Sequence, residues 1–235
     1  MADTDEASVS FARDARQSAG LVEKDSAALT PLLRSLRLQH GLELLALFER
    51  RYAEYQKADR TVLELAVENT NLKAQRLSFG PAREAADGFR DALANVVSSS
   101  PAKDRCRIEG LVAKAVLAVR EVQVLQAPHI AESDDAAMTR MEAEMNSLTE
   151  SAADALGELS KLAPPEVRSQ LAGAQSALDR FKSVTGQIVA LSRRNSNVRS
   201  LDLSLRAKPA LTAACDESLR ALQEALAKAG SQATR

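Results

Sequence analysis

Residues 45–65, LALFERRYAEYQKADRTVLEL, decide the fold class. Leu45, Phe48, Tyr52, Tyr55, Ala58, Val62 and Leu65 advance by three or four positions each time, which lays one apolar stripe along an α-helix; a strand would alternate every second residue. Leu171, Ala174, Leu178, Phe181, Val184, Ile188 and Leu191 repeat the pattern later in the chain. The composition agrees. Hydrophobic residues make up 45% of the 235 and aromatics 3%, with no Trp, so the core must be built from Ala, Leu and Val. With 9 Gly and 7 Pro the chain has too few breakers for a turn-rich sandwich or barrel. The expected fold is all-α, an elongated antiparallel helical bundle.

The breaks have local reasons. Thr30-Pro31 and Ser98-Ser99-Ser100-Pro101 place a capping residue before proline, Gly80-Pro81 joins a permissive residue to a helix start, and Pro128, Pro164-Pro165 and Pro209 supply the rest. Between them the sequence predicts helices near 5–29, 38–78, 82–97, 102–127, 131–162, 166–205 and 209–229. A helix over 166–205 would be on the order of 60 Å long, suited to a rod.

Asn69-Thr70-Asn71 aligns with Asn195-Ser196-Asn197, and the same offset carries Leu45 onto Leu171, Tyr55 onto Phe181, Leu65 onto Leu191 and Leu93 onto Leu219. The repeat spans a long helix, a break and a shorter helix, each copy preceded by an Ala- and acid-rich helix, 5–29 and 131–162. Helix 102–127 has no counterpart. So long a period points to duplicated domains rather than a solenoid, and the expected division is a first helical module over 1–100 stacked with a second over 101–235.

Lys plus Arg total 31 against 32 Asp plus Glu, a net charge of -1 that rules out nonspecific binding of nucleic acid or anionic lipid. No uncharged apolar run approaches the roughly 18 residues of a membrane span, and the acidic start, Met1 to Glu6, has no apolar signal region; the chain as written reads as soluble. Cys106 and Cys215 lack the spacing of a zinc or redox pair and read as ordinary buried thiols. The catalytic inventory is poor. His40 and His129 sit beside predicted breaks and read as capping or surface residues, while Glu64 with Glu68, and Glu142 with Asn146, read as solvated faces one helical turn apart. Phosphate loops, nucleophile elbows and metal clusters are absent, so neither an enzyme nor a cofactor is expected.

Polar crowding inside strong helices is the unusual chemistry. Arg193-Arg194-Asn195-Ser196-Asn197-Val198-Arg199-Ser200 puts several poor helix formers mid-helix, each costing up to about 0.7 kcal/mol. Asn amides and Arg forks either hydrogen-bond across an interhelical crossing or hold a small anion. The first copy, Asn69 to Arg76, keeps both amides but loses one Arg, which makes the second module the better candidate for a ligand.

At these residues the chain resembles the periplasmic sensor of bacterial methyl-accepting chemotaxis proteins, of the four-helix-bundle or helical bimodular type. The resemblance rests on Ile188-Val189-Ala190-Leu191-Ser192-Arg193-Arg194-Asn195-Ser196-Asn197-Val198-Arg199-Ser200-Leu201 and on Leu211-Thr212-Ala213-Ala214-Cys215-Asp216-Glu217, and extends weakly upstream through Ala118-Val119-Arg120 and Leu156 to Pro165. It implies a homodimeric receptor that binds a small organic or amino acid between helices and passes a helix displacement through flanking membrane spans absent from this chain, as in an excised sensor segment. The extra module and the missing output region depart from the four-helix type. By side-chain chemistry joined to this analogy, Arg120, Arg194 and Arg199 meet an anionic ligand group, while Asn195, Asn197 and Thr212 add hydrogen bonds. The competing reading is a cytoplasmic scaffold or adaptor with no small ligand, whose apolar stripes bind a partner helix.

Overall fold

A computed structural model describes residues 4–162 and 165–233. Among the described residues there are helices and no strands: α1 Asp5–Ser35, α2 Gln39–Glu68, α3 Thr70–Leu77, α4 Arg83–Ser98, α5 Arg105–Ala131, α6 Asp135–Leu162, α7 Arg168–Arg194, α8 Ser196–Arg206 and α9 Lys208–Ala233. The fold is all-α. Pro164 lies outside the described residues.

Prolines interrupt the chain less than expected. Pro31 lies inside α1 and Pro128 inside α5. The helical φ of proline suits both places, and the residues beyond each are anchored: Leu33, and His129 with Ile130, are buried. Gly80-Pro81 also fails to separate two helices. It lies in a π-turn, Ser78–Ala82, that carries α3 into α4, and a widened turn accommodates a residue with no N–H to give.

The breaks that matter carry no proline. The predicted helices 38–78 and 166–205 are each divided at an asparagine in the left-handed region, Asn69 at φ 50° and ψ 39° and Asn195 at φ 53° and ψ 38°. A left-handed residue ends an α-helix, and Asn is among the few non-glycine residues that visit that region readily. The rod of some 60 Å is therefore corrected to α7, 27 residues long and about 40 Å, followed by α8. That both copies kink at equivalent asparagines supports a duplication.

The expected division at residue 100 is also corrected. One compact unit contains residues 1–69 together with 196–235, and the other residues 70–195. The chain leaves the first unit immediately after one left-handed asparagine and returns to it immediately after the other, so the kinks set the boundaries and the first unit is discontinuous in sequence.

The second unit is a closed four-helix bundle. Short connections make α4, α5, α6 and α7 alternate in direction; α4 packs on α5, α5 on α6, α6 on α7 and α7 on α4. Phe89, Leu93, Ile108, Leu159, Leu178 and Phe181 are fully or almost fully buried inside it. The first unit has α2 at its centre, flanked by α1 and α9, with α8 packed along α2. Its smaller core joins Leu33, Leu45, Phe48, Cys215 and Leu222. Arg51 ties α2 to α9 by donating to the Ala214 carbonyl at 2.7 Å and to Glu217 at 2.9 Å.

The repeat offset relates the two units helix by helix. It carries buried Ala12 and Leu33 of α1 onto buried Met138 and Leu159 of α6, Val62 of α2 onto Ile188 of α7, and Phe89 and Val96 of α4 onto Cys215 and Leu222 of α9. Helix α5 finds no counterpart in the first unit. Where the second unit has α5 packed against α4, α6 and α7, the first leaves the equivalent place between α9, α1 and α2 open.

Candidate functional site: an aromatic groove in the first unit

The crowded polar residues are used inside the protein. In the second unit the Asn195 amide donates to the Glu132 carbonyl at 2.7 Å, and its Oδ1 accepts from Asn71 at 2.8 Å. Asn71 also donates to the Ile130 carbonyl at 2.6 Å, and Ser192 to that of His129 at 2.7 Å. The last carbonyls of α5 have no intrahelical partner, and these three side chains supply one to two of them, at His129 and Ile130, and to that of Glu132, the residue that follows the helix. The first unit repeats the device: Asn197 donates to Asn69 Oδ1 at 2.8 Å, while the Asn69 amide reaches Asp5 at 3.0 Å and Ser8 at 2.8 Å. Among the described residues no buried polar side-chain atom lacks a partner. The compensation for poor helix propensity is therefore intramolecular.

The six expected ligand residues are shared between the two units. Arg120, Arg194 and Asn195 belong to the second unit; Asn197, Arg199 and Thr212 belong to the first. Arg120 donates to Asp87 at 2.6 Å and to Gln123 at 2.8 Å, and its guanidinium holds the Asp87 carboxyl below the usual carboxylate range. Arg194 and Arg199 are exposed. Asn195 and Asn197 are buried with their amides engaged. Thr212 alone of the six lines the main groove.

Other residues fall differently from their expected roles. His40 is exposed at the start of α2, 3.6 Å from Glu43, as a helix-start residue should be. His129, expected at the surface, is completely buried. Glu142, read as part of a solvated face, bonds both His129 and Arg193, because α7 folds back over that side of α6. Cys215 is buried but Cys106 is exposed, since two residues before the fully buried Ile108 it lies on the opposite face of the first turn of α5.

The concave feature that stands out is the open place in the first unit. It encloses about 530 Å³ between α1, α2 and α9. Phe11, Phe48, Tyr52 and Tyr55 line it, four of the seven aromatic residues in the chain and both tyrosines. That concentration, in a protein so poor in aromatics, marks it off from the Ala- and Leu-built core elsewhere. Three of the rings stack along one face of α2, centroids 5.5 Å apart from Phe48 to Tyr52 and 5.9 Å from Tyr52 to Tyr55. Part of the stripe that the sequence spacing reads as core is the floor of a groove: Leu45, Phe48 and Val62 are buried, but Tyr52 and Tyr55 are only half-buried, because α5 has no equivalent here to cover them.

One end of the groove is charged. The Lys208 ammonium, at the start of α9, pairs with Asp59 of α2 and lies 5.3 Å from the centre of the Tyr55 ring. Burial works against the Lys208 charge, but the hydrogen bond and negative charge of Asp59 outweigh it and raise the ammonium above its ordinary range. Burial likewise raises the Tyr52 hydroxyl, which donates to the Ala19 carbonyl at 3.3 Å, and the Cys215 thiol. An apolar hollow with stacking rings and a few convergent polar groups is the usual form of a small-molecule site. Its groups can hold an apolar or aromatic body along α2 and a charged head beside Lys208 and Asp59.

Among the described residues no three His, Cys, Asp or Glu side chains are grouped to hold a metal ion, and no helix is long and apolar enough to cross a membrane. No protein-family model matches the sequence, and comparisons with curated proteins and with solved structures find no match either.

Proposed function

We propose that the chain is the ligand-binding sensor part of a bacterial chemoreceptor, and that it takes a small organic or amino acid with an apolar body into the groove of the first unit. The observation that carries this is the groove itself: four aromatic side chains and one Lys–Asp pair line the place that a helix fills in the second unit. The likeness around Asn195 to methyl-accepting chemotaxis receptors supplies the biological setting, a homodimer on the periplasmic side of flanking membrane spans. The anionic group of the ligand meets Lys208 rather than Arg120, Arg194 or Arg199, and Thr212 keeps its role as a hydrogen-bonding neighbour. A ligand in contact with α1, α2 and α9 biases the position of α1 against α9, the small helix displacement that such a receptor transmits.

The experiment is a thermal-shift panel of carboxylates and amino acids, because a ligand that binds only the folded protein raises its unfolding midpoint. At least one compound with an apolar body should raise the midpoint, and Thr212→Trp, which projects a large side chain into the groove from its exposed rim, should abolish the rise. A panel without a hit, or a hit indifferent to Thr212→Trp, would remove the groove from the proposal.

The same geometry favours a second reading. An amphipathic helix of a partner, lying where α5 lies in the second unit, would make this chain an adaptor. In that case an environment-sensitive dye such as anilinonaphthalene sulfonate binds the groove, while no metabolite displaces it.

A further inference from the structure

The aromatic stripe of α2 ends in a charge. Phe48, Tyr52 and Tyr55 share one face of the helix, and Asp59 follows one turn later on that face, where it pairs with Lys208 of α9. Both partners line the groove and are largely buried, the Asp59 side chain with 13% of its surface exposed and that of Lys208 with 24%. A carboxylate accepts at both oxygens and an ammonium donates in several directions. Their mutual contact uses one of each, so both keep capacity toward the groove.

The second unit shows what such a place holds. The repeat offset carries Asp59 onto Thr185, Lys208 onto Ala82 and Ser204 onto Ser78. There α5 lays the Gln126 side chain, only 1% exposed, between two of these residues. Its amide nitrogen donates to the Thr185 hydroxyl at 3.1 Å, and its carbonyl oxygen accepts from Ser78 at 2.7 Å. A single group thus meets the place with one donor and one acceptor. In the first unit a carboxylate stands for the Thr185 hydroxyl and a lysine for Ala82. The demand for a donor beside an acceptor is now made by full charges, whose pull is strongest where water is excluded.

We propose that Asp59 sets the head-group selectivity of the groove, admitting ligands that carry an ammonium beside their carboxylate and rejecting plain carboxylates. The class is a zwitterion with an apolar or aromatic body. The body lies along the rings of α2, the carboxylate meets Lys208 and the ammonium meets Asp59. This selectivity rests on the groove being the ligand site. A plain carboxylate that reaches Lys208 brings a second negative charge beside Asp59 in a place of low dielectric, and like charges so placed are strongly unfavourable. A plain amine meets the converse objection at Lys208. A zwitterion satisfies both residues and adds no net charge to the hollow.

The test is isothermal titration of the full chain with two matched series: phenylalanine, hydrocinnamate and phenethylamine, and leucine, isocaproate and isoamylamine. At least one amino acid should bind, on the order of tenfold or more tighter than its own acid and amine. Asp59→Asn keeps the shape and removes the negative charge. It should erase or reverse the margin over the acid, by weakening the amino acid and strengthening the acid. An acid bound as tightly as its amino acid, and lost in Thr212→Trp, would overturn the role of Asp59 and leave the groove as the ligand site. A margin that Asp59→Asn does not change would do the same. Binding by neither series, or binding indifferent to Thr212→Trp, would overturn the groove and the selectivity together. Should Asp59→Asn fail to fold, the parent's margin between amino acid and acid decides by itself.

Discussion

Asn195 shows how one side chain can do two structural tasks. Its backbone takes a left-handed conformation that costs most residues about 1–2 kcal/mol, and its amide supplies hydrogen bonds to Glu132 and Asn71. Asn195→Ala removes both contributions and is expected to destabilise the protein by about 2–3 kcal/mol, whereas Asn195→Gly keeps the conformational freedom and loses only the bonds, about 1 kcal/mol; urea unfolding measures both. Glu142 gives a pH dependence whose sign follows from its environment. Arg193, then His129, lower its folded value despite burial, so its contribution to stability is complete above the unfolded value near 4.3 and is lost as pH falls through the lower folded value. Acid unfolding followed by circular dichroism should find Glu142→Gln less sensitive than the parent below about pH 4. The sequence marks Asn195 as unusual through its place in a polar run. It does not mark His129, whose burial depends on α6 and α7, remote in sequence.

Among the helices, the difference between a closed and an open unit should appear in matched substitutions. Phe181 and Tyr55 are equivalent by the repeat, yet Phe181 is fully buried and Tyr55 half-buried along a groove. Phe181→Ala is expected to cost about 3–5 kcal/mol, and Tyr55→Ala about 1–2 kcal/mol, the smaller sum of partial burial and a lost cation–π contact. Denaturant titration of the two variants compares them directly. Helical periodicity reveals both stripes, because a buried face repeats every three to four residues whether its cover is a neighbouring helix or a ligand. It cannot show which stripe is covered. Proline guided the helix ends at Pro101, Pro165 and Pro209 but not at Pro31 and Pro128: each of the latter removes one hydrogen bond, a loss that the burial of Leu33 and Ile130 offsets, and that burial is tertiary.

For the molecule as a whole, the discontinuity of the first unit has an experimental consequence. A fragment of residues 70–195 contains every helix of the closed bundle and is expected to fold alone, with a cooperative thermal transition by circular dichroism. Fragments 1–100 and 101–235 divide both units, leaving α2 without α9 and α4 without α7, and neither should melt cooperatively; two such fragments that did would refute the division at Asn69 and Asn195. The all-helical class, the apolar stripes and the duplication were all legible in the order of residues, since each depends on spacing along one helix or on an offset within one chain. The unit boundaries, the groove and the buried histidine were not. They depend on which helix covers which face, and that is settled by long-range packing: two asparagine kinks redirect the chain, α5 fills a place in one unit that stays open in the other, and residues far apart in sequence then share their hydrogen bonds.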